Sequence, residues 1–195
     1  MYRQQLLHPV VLDIQCFKDN NNDFIVKEAC VVDITTNSIL LHHIAKPPCA
    51  RDFLSPNKQR ESYWVTKHWH GLEWDQGDIK YNTLLDELRT CLQHRSIIYV
   101  KGLEKKKFVL QFLVKNDTMD VIDTLEIGCP ALNKTSEPSA NTVLRCDQHK
   151  SAWHKCALAN CSLLRAWLNH YFEEGEYKRT IPCAHYNGSN GYYKN

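Results

Sequence analysis

The chain has 195 residues, 43% of them hydrophobic and 24% charged, and carries a formal net charge of +2 from 24 basic against 22 acidic side chains. That length suits one globular domain able to bury about 70% of its unfolded surface. The near-balance of charge excludes a global basic field for nucleic acid, so any such binding has to come from a local patch.

The start, MYRQQLLHPVV, shows no signal-peptide apolar region. The longest apolar runs, such as PVVLDI and SILL, are strand-sized, so no membrane span is expected. Nine cysteines without a secretory signal read as reduced thiols and metal ligands rather than a disulfide framework, and a cytoplasmic or nuclear location is expected.

In chain order, residues 9–17, PVVLDIQCF, predict a strand buried on both faces and closed by the polar loop KDNNND. FIVKEACVVDI (24–34) and SILLHHIAKPP (38–48) flank TTN and predict a hairpin. Residues 49–80 read as a loop-rich stretch of mixed aromatic and charged side chains. Leu84, Leu85, Leu88 and Leu92 fall at helical spacing within YNTLLDELRTCLQ (81–93), with acids early and Arg89 late, as the helix dipole prefers.

SIIYV (96–100) predicts a short buried strand, EKKKFVLQFLV (104–114) a helix, and MDVIDTL (119–125) a strand entering another helix. After the loop 133–143, a last helix is expected from about Ala152 to Phe172. The fold class that follows is α/β. A mixed sheet opens with three antiparallel strands, continues with alternating helices and strands, and carries helices on its faces. One domain over 1–172 and a disordered polar tail over 173–195 complete the division.

The order of segments resembles the DEDDh 3′–5′ exonuclease superfamily. VVLDIQC is similar to the motif in which an Asp-x-Glu pair ends the first strand. HWHGLEWDQGDIKYNTLLDELRTCL is similar to the family's HGI segment and the helix after it, and VIDTLEIGCPAL to its Asp-Thr-Leu turn. The resemblance covers roughly residues 9–170 and implies a ribonuclease-H-like fold.

Such enzymes hold two Mg²⁺ or Mn²⁺ ions on four carboxylates beside a histidine base. Two dications about 4 Å apart need several anionic oxygens to offset their repulsion. Carried onto this chain, the resemblance keeps Asp13 but puts Gln15 at its partner, Lys105 at or near the second motif and Asn160 at the third, with His154 near the base position. A one-residue shift would put Ala159 in place of Asn160. That set implies a lapsed catalytic centre in which Mg²⁺ or Mn²⁺ is not expected. The competing assignment is an active metal-dependent exonuclease using Asp13, Glu104, Asp123 and His154.

A second feature is the density of soft ligands in CDQHKSAWHKCALANCSLL (146–164). Zinc takes four N/S/O donors tetrahedrally, and Cys146-x2-His149 is close enough to share one ion. His154 and Cys156, about 200° apart on a helix, cannot both face one metal if both are helical. The set chosen from spacing is Cys129, Cys146, His149 and Cys156, with His154 or Glu126 as substitutes for Cys129. This also resembles the Maelstrom domain, an exonuclease-like domain with lost catalytic acids and a Glu/Cys/His/Cys zinc set, whose glutamate maps onto Glu126 or is replaced by Cys129.

Tyr63, Trp64, His68, Trp69, His70 and Trp74, beside Lys67, can stack on unpaired bases or plug the sheet edge. The function expected is binding of single-stranded RNA or DNA, or of a protein partner, by a zinc-stabilised pseudo-exonuclease.

Overall fold

The computed structural model describes residues 8–113, 119–134 and 143–180. A five-stranded sheet has the order β3-β2-β1-β4-β5. It is built from β1 (Val10–Lys18), β2 (Phe24–Asp33), β3 (Ile39–Ile44), β4 (Ile97–Val100) and β5 (Asp120–Asp123). β1–β2 and β2–β3 pair antiparallel, whereas β1–β4 and β4–β5 pair parallel. The mixed α/β sheet expected from the sequence is therefore present. The β2–β3 turn is closed by Asp33, whose Oδ1 accepts from the N–H groups of Thr35 (2.9 Å) and Thr36 (2.8 Å).

Alternation along the central strands sends side chains to two cores. Val10, Leu12 and Ile14 of β1 and Ala29 and Val31 of β2 face one core. There they meet Leu84, Leu88 and Leu92, each fully buried on α2 (Tyr81–Leu92), and Val109 of α3 (Leu103–Phe112). Each such leucine contributes about 1.5–3 kcal/mol by leaving water. Val11, Cys30 and Val32 face the other way, against Ala157, Cys161, Leu164 and Leu168 of α4 (Ala157–Thr180).

Three elements depart from expectation. The loop-rich stretch contains α1 (Pro56–Val65), continued by a π-helical turn over Thr66–His70. Ser55 caps α1 and Pro56 opens it, but only Ser62 is buried, so no apolar stripe marked it in the sequence. The last helix begins at Ala157 rather than Ala152 and continues through Thr180, eight residues past the expected end. Of the expected tail, 173–180 are helical and 181–195 lie outside the described residues. Residues 124–128 form a turn, not a helix, closed by Cys129 N–H donating to Thr124 O (2.9 Å), with Gly128 at φ 88°. Among the described residues no helix is long and apolar enough to cross a membrane.

Candidate functional site: a plugged cleft beside a metal-ligand cluster

Asp13 and Gln15 lie on the α4 side of β1, where Asp13 is 2% exposed. Its Oδ2 accepts from Gln15 Nε2 (2.9 Å) and from Asn160 Nδ2 on α4 (2.9 Å). Its Oδ1 accepts from the Lys105 ammonium of α3. Side chains from three separate elements thus converge on one carboxylate. Burial pushes the Asp13 carboxyl up while Lys105 and Asn160 pull it back. Burial would depress Lys105, but Asp13 outweighs it and the ammonium is raised. All three neighbours donate, so the group they surround is the anion: a protonated carboxyl would set its own O–H against a donor.

This arrangement does not fit a pair of divalent cations. The Asp13 carboxylate is spent on an ammonium and two amides, where two metals would require several free anionic oxygens. The alternative ligands do not converge either. Glu104 is exposed and paired with Lys18 (3.0 Å). Asp123 Oδ1 accepts the N–H groups of Gly102 (2.8 Å) and Leu125 (3.0 Å), as a turn cap does. His154 turns its Nε2 to Lys67 O (3.2 Å), and its ring lies against Gly71, where a Cβ would come within 2.3 Å of His154 Nδ1. It is a packing group of the wall and makes no hydrogen bond to Asp13.

The plug forms the floor of a cleft of about 450 Å³. Lys18, Lys101, Lys105 and Lys155 line it with Glu61 and Glu104, and Trp64 and Trp69 form one wall. Trp64 and Trp69 are 56% and 47% exposed, and Lys155 Nζ sits 5.7 Å from the Trp69 ring centre. His70 and Trp74, by contrast, are core residues at 0% and 1%, packed against Phe17. The aromatic cluster of the sequence therefore divides into a surface half and a buried half.

On the same face of the sheet, four metal-ligating side chains gather: Glu28, Cys146, His149 and Cys156, with donor atoms all within 4.8 Å of one another. Glu28 comes from β2, Cys146 and His149 from the segment before α4, and Cys156 from the residue preceding that helix. Three of the four were picked out by spacing. The fourth donor in the group is Glu28; Cys129, Glu126 and His154 stand outside it.

The turn after β5 explains the difference. It leaves the Cys129 thiol against Pro130 O (3.5 Å) and Glu126 on the surface with Lys106 (2.8 Å). Glu28 had its own signal: Lys27-Glu28 is a pair of charges inside a strand buried on both faces, and a buried charge needs a partner. Lys27 finds it in the carbonyls of Ala45 (3.0 Å), Trp74 (2.7 Å) and Gln76.

The four donors fit an ion. Glu28 is fully buried; its Oε1 lies 3.7 Å from Cys146 Sγ and 3.5 Å from Cys156 Sγ, and the two sulfurs are 3.8 Å apart. His149 Nδ1 bonds to His70 O, which fixes the tautomer and leaves the Nε2 lone pair facing the cluster. That Nε2 is 3.3 Å from Glu28 Oε2, yet it is buried with no hydrogen-bond partner. Burial would raise Glu28, but the imidazoles of His149 and His42 beside it outweigh burial and hold the carboxyl at about 2. The Cys146 thiol, hydrogen-bonded to Cys156, draws that sulfur down to about 5, the thiolate form a metal requires. Two cysteine sulfurs, an imidazole and a carboxylate are a zinc-type donor set.

No family model matches the chain, and no curated protein matches it. Among solved structures, the pseudoubiquitin hydrolase–RNA exonuclease module of Saccharomyces cerevisiae Pan2, in complex with AAUUAA RNA, aligns with a TM-score of 0.56 at 9% identity. The alignment covers 87% of this chain and 29% of that one, so this chain spans less than a third of the neighbour's length. At that identity the likeness establishes the fold alone, which is ribonuclease-H-like.

Proposed function

We propose that the chain is a catalytically lapsed exonuclease-like domain of DEDDh type that holds a structural zinc ion and binds single-stranded RNA. The observation that carries this reading is the Lys105 ammonium seated on Asp13, with Gln15 and Asn160 as neutral amides on its other oxygen. An ammonium and two amides supply the donors that satisfy one buried anion, and they cannot gather a pair of magnesium ions.

Zinc would be held by Glu28, Cys146, His149 and Cys156, the kind of set that the resemblance to Maelstrom domains implies. Once bound, it supplies folding free energy by tying the segment 145–156 to β2. RNA binding is supported by the exposed tryptophans and lysines that line the cleft and by the RNA held by the Pan2 module.

The test combines three measurements on one preparation: zinc content, binding of a fluorescent single-stranded RNA, and cleavage of that RNA with added Mn²⁺. The reading expects one zinc per chain, salt-sensitive binding and no cleavage. Cleavage abolished by Asp13→Ala would overturn the lapsed site, and absence of binding at low salt would overturn the RNA ligand.

A further inference from the structure

The metal reading leaves one side chain with a role beyond the four ligands. His42 on β3 stands in register with Cys30, while Glu28 stands with Ile44, so His42 and Glu28 are diagonal neighbours on one face of the sheet. His42 Nε2 is 3.0 Å from Glu28 Oε1. The other oxygen, Oε2, accepts the Ala157 N–H at 2.9 Å, from the first residue of α4. Two donors from two elements therefore grip the carboxylate from both ends, and each oxygen keeps a lone pair for an ion.

Resting on the zinc reading, we propose that His42 is a positioning residue of the metal centre. It donates Nε2–H to Glu28, fixes the rotation of the carboxylate, and closes the side of the cluster that faces solvent.

The surroundings support both parts of that role. The His42 side chain is 21% exposed while that of Glu28 is at 0%, so the imidazole is the layer between the ligand and water. It lines an opening of about 460 Å³ shared with Gln76, Asp78, Gln148 and the half-buried Cys146. The adjacent His43 points to the opposite face and pairs with Glu87 (3.1 Å) of α2, so sheet alternation separates the two histidines into different tasks. A ligating carboxylate left free to rotate binds its metal less tightly, and loss of such an outer partner typically costs 10–100-fold in affinity.

The experiment compares zinc-loaded wild type, His42→Gln and His42→Leu. Zinc affinity is read by competition with a chromophoric chelator, and ligand geometry by the visible spectrum of the Co²⁺-substituted proteins. Glutamine keeps an N–H donor near the position of Nε2, whereas leucine keeps bulk without a donor. The expected result is a roughly 10–100-fold weaker affinity and a shifted cobalt spectrum for His42→Leu, with His42→Gln close to wild type. Leucine holding zinc as tightly as wild type, or glutamine losing it as readily as leucine, overturns the role of His42 while leaving the zinc reading intact. Wild-type protein that binds no stoichiometric zinc overturns both.

Discussion

A single ammonium beside the middle of the first strand neutralises Asp13, the task that cations perform in metal-dependent nucleases. Lys105 does so from partial burial, with 24% of its side chain exposed against 3% for Asp13. Removing it leaves a buried carboxylate with two amide donors and no countercharge. Breaking a fully buried pair costs roughly 3–5 kcal/mol. Lysine's residual solvent contact discounts that, so Lys105→Met is expected to lose about 2–3 kcal/mol in urea denaturation. The double variant Asp13→Asn/Lys105→Met should recover most of the loss, because it removes the charge along with its partner. Recovery in the double variant is the informative measurement, since a purely steric role for Lys105 would not give it.

At the scale of elements, the segment 145–156 has no regular structure. Arg145 donates to the carbonyls of Ser151 (3.1 Å) and His154, Lys155 N–H to Trp69 O (2.8 Å) and Gln76 to Gln148 O (3.0 Å), Lys150 pairs with Glu73, and the four clustered donors join the segment to β2. The N-terminus of α4 hangs on the same cluster through the Ala157 N–H. Chelation should therefore lower Tm by roughly 5–15 °C, several kcal/mol at 2–4 °C per kcal/mol for a chain of this size. Cys146→Ser should start from the lower Tm and respond little to the chelator. A chelator without effect on wild-type Tm would separate the fold from the ion.

These elements also show what a sequence can and cannot disclose. The order of strands and helices was legible because the central strands are apolar runs and α2 carries a leucine stripe. Motif order named Gln15, Lys105, Asn160 and His154 together with Asp13; the first three meet Asp13, whereas His154 turns to Lys67 O. α1 was not legible, because a helix that buries only Ser62 has no periodicity to read. Cys129 stands outside the group of four donors because the chain makes a tight turn after Thr124, where the sequence predicts a helix. Glu28 was missed because a ligand 118 residues from Cys146 leaves no local spacing to notice.

For the molecule as a whole, the near-zero net charge means that RNA would have to be held by the cleft. Two of its lysines are already committed: Lys18 to Glu104 and Lys105 to Asp13. Lys101, which donates to the neutral Cys129 carbonyl (2.8 Å), and Lys155, over the Trp69 ring, would leave two positive charges for phosphates and a log–log salt slope of about −1.4, at about −0.7 per phosphate for single strands. Glu104→Gln releases Lys18 and should steepen the slope by about 0.7. Trp69→Ala should weaken binding by about 1–3 kcal/mol if a base stacks on that ring, without changing the slope. A slope near zero in fluorescence titrations would remove phosphate contacts from the account.

Gln15 of the cleft floor stands opposite Glu28 of the ligand cluster in the β1–β2 ladder, and Asn160 follows Cys156 by one helical turn. The two pockets therefore share a partition one residue thick, with no long relay between the four donors and the floor of the cleft. Seen this way, an ion that takes no part in chemistry would still set how stiffly the floor meets whatever rests on it.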